Sequence, residues 1–245
     1  MSALPPQACA VVLAGGGGTR IRHLRPDVPK PFIPVAGRPL IEWICGYWIR
    51  HGLHRLVISL GHMADIAEAR IAAWDWPGVE IRTVREEAPL GTGGAVRFAA
   101  AAIPDADPVV VLNGDSLLVA DLSGAWELLD DPETCGVVVG IEMDDASRFG
   151  TLRIGDGGTL AGFEEKRPGH GWINAGIYIF RRSILAQFPS LEPLSMENDV
   201  FPTLLDAGIR LRVFCAVGSF IDIGTPDSLA AADAFVERRL KELAE

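Results

Sequence analysis

Four consecutive glycines and two nearby cations are the residues of this chain whose types and spacing point most directly to chemistry. The glycines, Gly15 to Gly18, follow the apolar run CAVVLA, Arg20 ends the glycine-rich stretch, and Lys30 stands between two prolines. Glycines let backbone N–H groups approach and surround phosphate oxygens, and at a strand-to-helix turn the helix N-terminus adds a favourable dipole. The prolines restrict the backbone and so fix the direction of Lys30. The pattern indicates a phosphate-binding loop with two cations.

This glycine-rich stretch differs from two common phosphate-binding motifs. GGGGTR lacks the GK[ST] ending of a P-loop, and it gives no clean GxGxxG followed about 20 residues later by a ribose-binding acid. A glycine turn without charged neighbours is an ordinary structural feature. The phosphate interpretation therefore depends on Arg20 and Lys30, whose alternative role is that of solvated surface charges.

The loop must be positioned by the elements around it, and their order predicts an α/β fold. Short β-rich runs alternate with helical patterns in the first half of the chain, which is typical of a mostly parallel sheet covered by helices on both faces. We predict strands at ACAVVLA, HRLVISLG, VEIRTVRE and PVVVLNGD, and helices at LIEWICGYW, MADIAEARIAAW and TGGAVRFAAAAI. Parallel sheets place their sites at the carboxyl ends of strands, where the glycines and Asp115 occur.

The pattern changes at about Cys135, after which three strand-like segments and a final helix follow. The segments are GVVVGIEM, GTLRIGDGGTLAGFEEK, which contains a hairpin turn, and WINAGIYIF. The last helix should begin with Thr225 as N-cap and Pro226 at its first position. We expect a Rossmann-like, mostly parallel mixed sheet flanked by helices, forming a single domain over residues 8–245 with a small β subregion. Residues 1–7 are expected to be a flexible N-terminal segment.

Composition excludes several classes of function. The 32 acidic and 22 basic residues give a formal charge of −10, and no basic run is present, so nucleic acid is not expected as a partner. The N-terminal MSALPPQ is not a signal peptide, and no run of about 18 apolar residues predicts a membrane span, so we expect a cytoplasmic protein. The cysteines lack CxxC spacing and are predicted to be reduced core thiols: Cys9, Cys45, Cys135 and Cys215.

Seven motifs in sequence order resemble a known family, the sugar-phosphate nucleotidyltransferases. LAGGGGTRI and PKPFIPVAGRPLIEW are similar to the family pattern LAGGxGTRL followed by PKP, and EEAPLGTGGA, VVLNGDSL, GFEEK, INAGIYIF and FIDIGTPDSL follow. The resemblance extends from Val11 to about Leu229. Gly17 in the variable position and Ile21 in place of leucine are mild departures. The resemblance implies transfer of a nucleotidyl group from a nucleoside triphosphate to a sugar 1-phosphate, which releases pyrophosphate.

That reaction suggests roles for the charged residues. Two anions must meet in line, so we expect Arg20 to hold the leaving pyrophosphate and Lys30 the α-phosphate or the incoming sugar phosphate. A carboxylate beside a triphosphate is repulsive unless it holds a cation, and Mg²⁺ favours one or two carboxylates with phosphate oxygens and water. We therefore predict a Mg²⁺ site at Asp115 and Asp222, with Asp115 among the catalytic residues. The alternatives are a turn residue at Asp115 and a loop-orienting residue at Asp222.

The remaining site residues come from the matching motifs. The segment EEAPLGTGGA is expected to read the base, with Glu86 hydrogen-bonding its edge and with Gly91 and Gly93 letting the backbone lie against a flat ring. The predicted nucleotide-binding residues are Leu13, Ala14, Gly15, Gly16, Gly18, Thr19, Arg20, Glu86, Pro89, Gly91, Thr92, Gly93 and Asn113. The resemblance assigns the sugar phosphate to the β subregion, at Gly114, Gly150, Glu165, Lys166, Asn174 and Gly176.

Several positions keep an alternative interpretation. Because side chains alternate along a strand, Glu165 and Lys166 need not both face a ligand and could form a surface salt bridge. Trp172 could line the site or lie in the core. The histidines lack metal-ligand spacing and are expected at the surface or in packing, and His170, just before the sugar strand, is the one that merits inspection.

Within the family, the short chain without a β-helical extension and the motifs EEAPLGTGGA, LNGDSL and FIDIGTP are most similar to the D-glycero-D-manno-heptose 1-phosphate guanylyltransferases. GTP and a heptose 1-phosphate are thus the expected substrates. Mannose, glucose or N-acetylmuramate 1-phosphate with GTP, UTP, dTTP or CTP is the alternative. A non-catalytic nucleotide-sugar-binding regulatory module is an alternative of another class. The chain is expected to be a monomer or a homo-oligomer.

Overall fold

The computed structural model describes residues 4–164 and 168–244. Its strands include all those that the sequence predicts and five more that it does not. They are β1 (Cys9–Ala14), β2 (Pro34–Val35), β3 (Arg38–Pro39), β4 (Arg55–Leu60), β5 (Glu80–Arg85), β6 (Val109–Asn113), β7 (Ser116–Ala120), β8 (Gly136–Met143), β9 (Thr151–Ile154), β10 (Leu160–Glu164), β11 (Gly171–Phe180), β12 (Leu211–Ala216) and β13 (Gly218–Asp222).

The helices also follow the predicted order. They are α1 (Leu40–Arg50), α2 (Ala64–Ile71), α3 (Gly91–Ala100), α4 (Ser123–Glu127), α5 (Phe201–Asp206), α6 (Pro226–Glu237) and α7 (Leu240–Ala244). Single helical turns occur at Lys30–Phe32, Asp156–Gly158 and Arg182–Gln187, and a π-helical turn at Met196–Val200 precedes α5.

Within the described residues, nine strands form one mixed sheet that draws on both halves of the chain. β5, β4, β1 and β6 are parallel neighbours in that order, and β11 joins β6 in the antiparallel direction. β8 pairs antiparallel with β11 and parallel with β12, while β9 and β10 form the predicted hairpin beside β11. The predicted α/β fold, a mixed sheet with a parallel part flanked by helices, is confirmed.

The apolar composition of β1 explains why this strand lies in the middle of the sheet. Cys9 to Val12 are fully buried, and alternate side chains enter cores on opposite faces of the sheet. Val12 joins one core with Ile41 from α1, whereas Val11 joins the other core with Val96 from α3. Helices on both faces thus hold β1 in place, and the glycines that follow it begin at a fixed point.

The C-terminal helix begins as predicted but does not continue as one element. Thr225 is the N-cap of α6 and forms a capping box with Ser228, and Pro226 is the first helical residue. The backbone N–H of Arg239 donates to the carbonyl of Val236 at 2.9 Å, three residues earlier. This tighter turn separates α6 from α7, so the prediction of a single closing helix is wrong at this point.

The predicted core location of the cysteines holds for two of the four. Cys9 and Cys45 are buried, Cys135 is half-buried and Cys215 is exposed, and all four are free. Alternation along β12, an outer strand, turns Cys215 away from the core, so the prediction for that residue is wrong.

None of the helices in residues 4–164 and 168–244 combines the length and apolarity that a membrane span requires.

Candidate functional site

A cavity of about 720 Å³ opens where the parallel strands end. Gly15 follows β1, Gly61 follows β4, Glu86 follows β5 and Asn113 ends β6, and all four residues line this cavity. We refer to it as the loop cavity. Because the carboxyl ends of parallel strands meet at one edge, residues from four distant parts of the chain share one wall.

The glycine loop presents unused backbone donors to this cavity. Among the described residues, no acceptor contacts the backbone N–H groups of residues 16–20. A Cβ at Gly16 or Gly17 would meet nothing within 4 Å, whereas Gly18 has a φ of +57° and packs closely on the side chain of Lys30. The loop is therefore an open row of N–H groups of the kind that binds phosphate oxygens.

In the described structure no α-helix begins directly after this loop. The backbone N–H groups of Ile21 and Arg22 both donate to the carbonyl of Gly18, at 3.0 and 2.9 Å, and the chain continues in turns. The first α-helix starts only at Leu40. The loop consequently has no helix dipole behind it, so an anion there depends on the free N–H groups and on nearby cations.

The two predicted cations lie on the loop cavity in different states. Arg20 is exposed and has no ion-pair partner among the described residues. Lys30 has only 14% of its side chain exposed, and its ammonium group forms an ion pair with the carboxylate of Asp115. The second oxygen of Asp115 accepts from the Ser116 hydroxyl at 3.1 Å. Arg20 is free to meet an anion, whereas Lys30 is held in position by a carboxylate.

The pairing of β7 with β13 brings the two predicted metal ligands to the same end of a two-stranded sheet. Asp222 lies opposite Ser116, and the backbone N–H of Ile223 donates to the carbonyl of Asp115 at 3.0 Å. A Cβ built on Gly224 would have both the Asp222 carboxylate and the Lys30 ammonium within 4 Å. The two acids and Lys30 therefore gather around the small residue Gly224.

Asp222 is occupied by protein donors. The Arg148 guanidinium donates to its two oxygens at 3.0 and 3.3 Å, and the backbone N–H of Gly224 donates to Oδ2 at 2.7 Å. Only 16% of the Asp222 side chain is exposed, compared with 43% for Arg148. Each predicted metal ligand thus has one cationic neighbour, Lys30 at Asp115 and Arg148 at Asp222.

These contacts bear on whether Mg²⁺ fits the site. The described part of the chain contains no group of three or more histidine, cysteine, aspartate or glutamate residues that could hold a metal. Mg²⁺ usually retains waters and takes one or two carboxylates together with substrate phosphates, rather than a complete protein cage. Asp115 and Asp222, together with the open N–H groups of the glycine loop, fit that kind of site.

Glu86, which lies on the same wall as Gly15, is a fixed carboxylate. Ser59 donates to one of its oxygens at 2.9 Å, and the backbone N–H of Leu90 donates to the other at 3.3 Å. A Cβ on Gly15 would collide with this carboxylate, so glycine is required there for close approach. Both oxygens of Glu86 are used, and each can accept one more hydrogen bond from a ligand.

Most of the predicted nucleotide-binding residues line the loop cavity, and two do not. Ala14 is buried within β1, and Gly93 is buried inside α3, where its N–H donates to the Leu194 carbonyl at 2.8 Å. Gly91 does line the cavity, but its φ of +75° and its contact with the Leu194 backbone explain why it is glycine. The residues on the wall are Leu13, Gly15, Gly16, Gly18, Thr19, Arg20, Glu86, Pro89, Gly91, Thr92 and Asn113.

The predicted sugar-phosphate residues do not share that wall. Gly114 and Gly176 are buried around Asn113: a Cβ on Gly114 would lie 2.6 Å from the Leu13 carbonyl, and one on Gly176 would collide with the Asn113 carboxamide. Gly150 instead lines a second cavity of about 760 Å³, between the β9–β10 hairpin and α5, which we call the hairpin cavity. Predicted residues Glu165 and Lys166 lie outside the described residues.

Asn174 is engaged by its neighbours on β11 and by one distant residue. Its carboxamide N–H groups donate to the Tyr178 hydroxyl and to Oε1 of Glu197, both at 2.8 Å, and its oxygen accepts from the Gly176 N–H at 3.0 Å. Both of its donors are therefore used within the protein. Of the two positions left open by the sequence, Trp172 is half-buried against one core, and His170 is exposed and pairs with Glu142 at 2.9 Å.

Sequence reasoning missed several residues of the site. His62 and Gly61 follow β4 and line the loop cavity, and the buried Nε2 of His62 has no partner in the described part of the chain. Their position directly after a buried strand was the available signal. Arg22 lines the same wall and is exposed. No local pattern indicates Arg148, because its contact with Asp222 joins positions 74 residues apart.

Comparisons with known proteins agree with this arrangement. A family model described as nucleotidyl transferase matches residues 9–239. The chain is 32% identical over 238 residues to a mannose-1-phosphate guanylyltransferase of Mycobacterium tuberculosis, covering 95% of this chain and 65% of that protein. It is 30% identical over 219 residues to the D-glycero-alpha-D-manno-heptose 1-phosphate guanylyltransferase of Campylobacter jejuni, covering 89% of this chain and 95% of that one.

A solved structure is similar over nearly the same length. The crystal structure of HddC from Yersinia pseudotuberculosis, complexed with GMP-PN, superposes with a TM-score of 0.82 at 31% identity. The match covers 93% of this chain and 98% of that chain.

Proposed function

Because this chain belongs to the nucleotidyl transferase family, we propose that it transfers a nucleotidyl group from a nucleoside triphosphate to a sugar 1-phosphate. The products are a nucleotide-sugar and pyrophosphate. The observation that carries the proposal is the open row of N–H groups at residues 16–20. Arg20 lies beside it with no ion-pair partner among the described residues, and the Lys30–Asp115 pair lines the same cavity. A non-catalytic module would usually have lost one of the acids or cations, whereas Arg20, Lys30, Asp115 and Asp222 are all present.

In the proposed reaction, an oxygen of the sugar phosphate attacks the α-phosphorus, and the bond from that phosphorus to the bridging oxygen of pyrophosphate breaks. The attacking phosphate oxygen is already anionic, so no general base is required. The loop N–H groups and Arg20 bind the outer phosphates and stabilise the charge that grows on the leaving pyrophosphate. Lys30, oriented by Asp115, meets the α-phosphate or the incoming sugar phosphate and offsets the repulsion between the two anions.

We further propose that Asp115 and Asp222 hold a Mg²⁺ ion together with phosphate oxygens and water. Bound there, the ion would neutralise phosphate charge during the transfer. Asp115 shares its carboxylate with Lys30, and Asp222 shares its own with Arg148. These two cations hold the acids in place until the triphosphate arrives.

For the substrates we propose GTP and D-glycero-D-manno-heptose 1-phosphate. The identity to the Campylobacter enzyme supports both the base and the sugar, and the Yersinia structure, which was solved with GMP-PN, supports the base. Both matches extend over nearly the whole length of those proteins. The mycobacterial relative is also a guanylyltransferase but acts on mannose 1-phosphate, so support for the base is broader than support for the sugar. The hexose 1-phosphates with UTP, dTTP or CTP are the alternative.

The test is a matrix of four nucleoside triphosphates against heptose, mannose, glucose and N-acetylmuramate 1-phosphates, with pyrophosphate release as the readout. We expect GTP with the manno-configured heptose 1-phosphate to give the highest kcat/KM. A higher value for UTP or dTTP with glucose 1-phosphate would refute the heptose assignment and leave the reaction class standing. Tight nucleotide-sugar binding without pyrophosphate release from any pair would instead support the regulatory module.

A further inference from the structure

The hydrogen bonds of Asn174 show which group near the sugar side is still available to a ligand. The resemblance gave Asn174 the role of binding a sugar hydroxyl through its amide. In the structure both amide N–H groups are used, one by the Tyr178 hydroxyl and one by Glu197. Burial raises the pKa of the Tyr178 phenol, and the nearby Glu197 carboxylate raises it further, so this hydroxyl stays neutral and remains a fixed partner of Asn174.

Unlike the amide of Asn174, the carboxylate of Glu197 keeps one oxygen available for a ligand. Its Oε1 accepts from Asn174 at 2.8 Å, whereas its Oε2 has no hydrogen-bond partner among residues 4–164 and 168–244. Oε2 lies 4.0 Å from the position that a Cβ on Gly150 would occupy, and both Glu197 and Gly150 line the hairpin cavity. The free oxygen of Glu197 therefore faces the space that the absence of a side chain at Gly150 leaves open.

The segment that carries Glu197 is tied to the loop cavity. Glu197 belongs to the π-helical turn Met196–Val200, and the backbone N–H of Met196 donates to the Thr92 hydroxyl at 2.9 Å. Thr92 lines the loop cavity, where the nucleotide is proposed to bind. A ligand spanning the two cavities would thus meet Glu197 at a fixed distance from its nucleotide end.

We propose that Glu197 is a sugar-recognition residue whose Oε2 accepts a hydrogen bond from a hydroxyl of the sugar 1-phosphate, and that Asn174 is a positioning residue that holds the carboxylate. The inference rests on the proposed function and adds to it a residue that the sequence motifs do not indicate. Asn174 already holds one oxygen of the Glu197 carboxylate, so the side chain loses little conformational freedom when a ligand binds. The other oxygen can accept a hydrogen bond from a sugar hydroxyl.

The test compares Glu197→Gln with the matched variant Glu133→Gln. Glu133 is an exposed glutamate that pairs with Arg210 at 2.7 Å and lines neither cavity. The glutamine at 197 keeps an oxygen for Asn174 but presents an N–H donor where the hydroxyl needs an acceptor. Two readouts are used: kcat/KM with the best substrate pair, and the Kd of the sugar 1-phosphate from calorimetric titration.

We expect Glu197→Gln to weaken both quantities for the sugar 1-phosphate by about 10- to 100-fold, as for the loss of a hydrogen bond to a charged group, with the KM for the nucleotide changed less than about 2-fold. In a series of deoxy sugar 1-phosphates, the analogue that lacks the recognised hydroxyl should bind wild type and variant equally. If Glu197 had only a structural role, no single analogue would remove the difference in Kd between the two proteins. Asn174→Ala should reproduce part of the loss, and Glu133→Gln none.

Failure of this inference can be told apart from failure of the proposed function. An unchanged Kd and kcat/KM in Glu197→Gln, with an active wild type, would overturn the role of Glu197 and leave the transferase standing. An equal penalty with every deoxy analogue would overturn it as well. Weaker sugar 1-phosphate binding in the variant, with no turnover by the wild type, would support Glu197 and reject the transferase. No binding of any sugar 1-phosphate to the wild type would overturn both.

Discussion

Replacing Asp222 with asparagine tests whether this residue binds a metal ion or only forms an ion pair. Asp222 is either a ligand of Mg²⁺ or only the partner of Arg148. The asparagine keeps nearly the same shape and can still accept from the Gly224 N–H, but it turns its own amide N–H groups toward the Arg148 guanidinium. The matched variant Arg148→Gln removes the ion pair and leaves the Asp222 carboxylate in place. The two variants therefore differ in whether the negative charge remains.

The contacts set the size of each effect on stability. Arg148 is 43% exposed, so its ion pair is worth at most about 1 kcal/mol, and Arg148→Gln should change the Tm by no more than about 4 °C. Asp222→Asn loses a charge-assisted bond from the Gly224 N–H and gains an unfavourable contact of donors with Arg148. We expect a cost of about 1–2 kcal/mol and a Tm lower by about 2–8 °C. Both variants should fold.

The effects on activity should differ far more. Loss of one of two carboxylate ligands should lower turnover at limiting Mg²⁺ by at least about tenfold in Asp222→Asn, which is about 1.4 kcal/mol of transition-state stabilisation. Extra Mg²⁺ should restore part of the loss. In Arg148→Gln the carboxylate loses a competing cation, so half-maximal activation should need an equal or lower Mg²⁺ concentration.

The assay is pyrophosphate release as a function of Mg²⁺ concentration, together with Mn²⁺ binding followed by electron paramagnetic resonance. The resonance measurement reads the metal directly, without turnover. Two results would refute the metal role: a folded Asp222→Asn enzyme with unchanged rate and Mg²⁺ dependence, or an Arg148→Gln enzyme with the same defects as Asp222→Asn. Either result would leave Asp115 as the single protein ligand.

Two further predictions concern the loop cavity. Arg20→Ala and Lys30→Ala should each lower kcat/KM by about 10²-fold or more, measured by pyrophosphate release, and near wild-type turnover would remove that residue from the mechanism. Calorimetry should separate the two variants, because Arg20 is exposed and has no ion-pair partner in the described part of the chain, whereas loss of Lys30 leaves the Asp115 carboxylate without its partner. Only Lys30→Ala should therefore lower the Tm. Gly176→Ala should cost about 2–4 kcal/mol in urea unfolding, because φ is +73° and the added Cβ collides with the carboxamide of Asn113. A stability within 0.5 kcal/mol of wild type would show that β11 relaxes at this bulge.

The sequence alone determined the fold class and the location of the site. Short, valine-rich apolar runs such as CAVVLA and PVVVLN are typical of central strands, and the rule that parallel strands end at a common edge then places Gly15 and Asp115 together. Cations near the glycines follow from chain proximity, because Lys30 is only twelve residues beyond Gly18 and is constrained by prolines. These features depend on local composition and spacing, which a sequence displays directly.

Tertiary structure decided how the polar groups of the site are used. A helix directly after the glycine loop would have added its dipole to the site, but the chain forms turns there. The family resemblance predicted that the amide of Asn174 binds the sugar. In the structure its two N–H groups already donate to Tyr178 and to Glu197, which is 23 residues away. Asp222 obtains its cation from Arg148, at a separation of 74 residues. A hydrogen bond forms over about 3 Å and depends on which distant segments the folded chain brings within that distance, so residue type and spacing alone do not specify its partners.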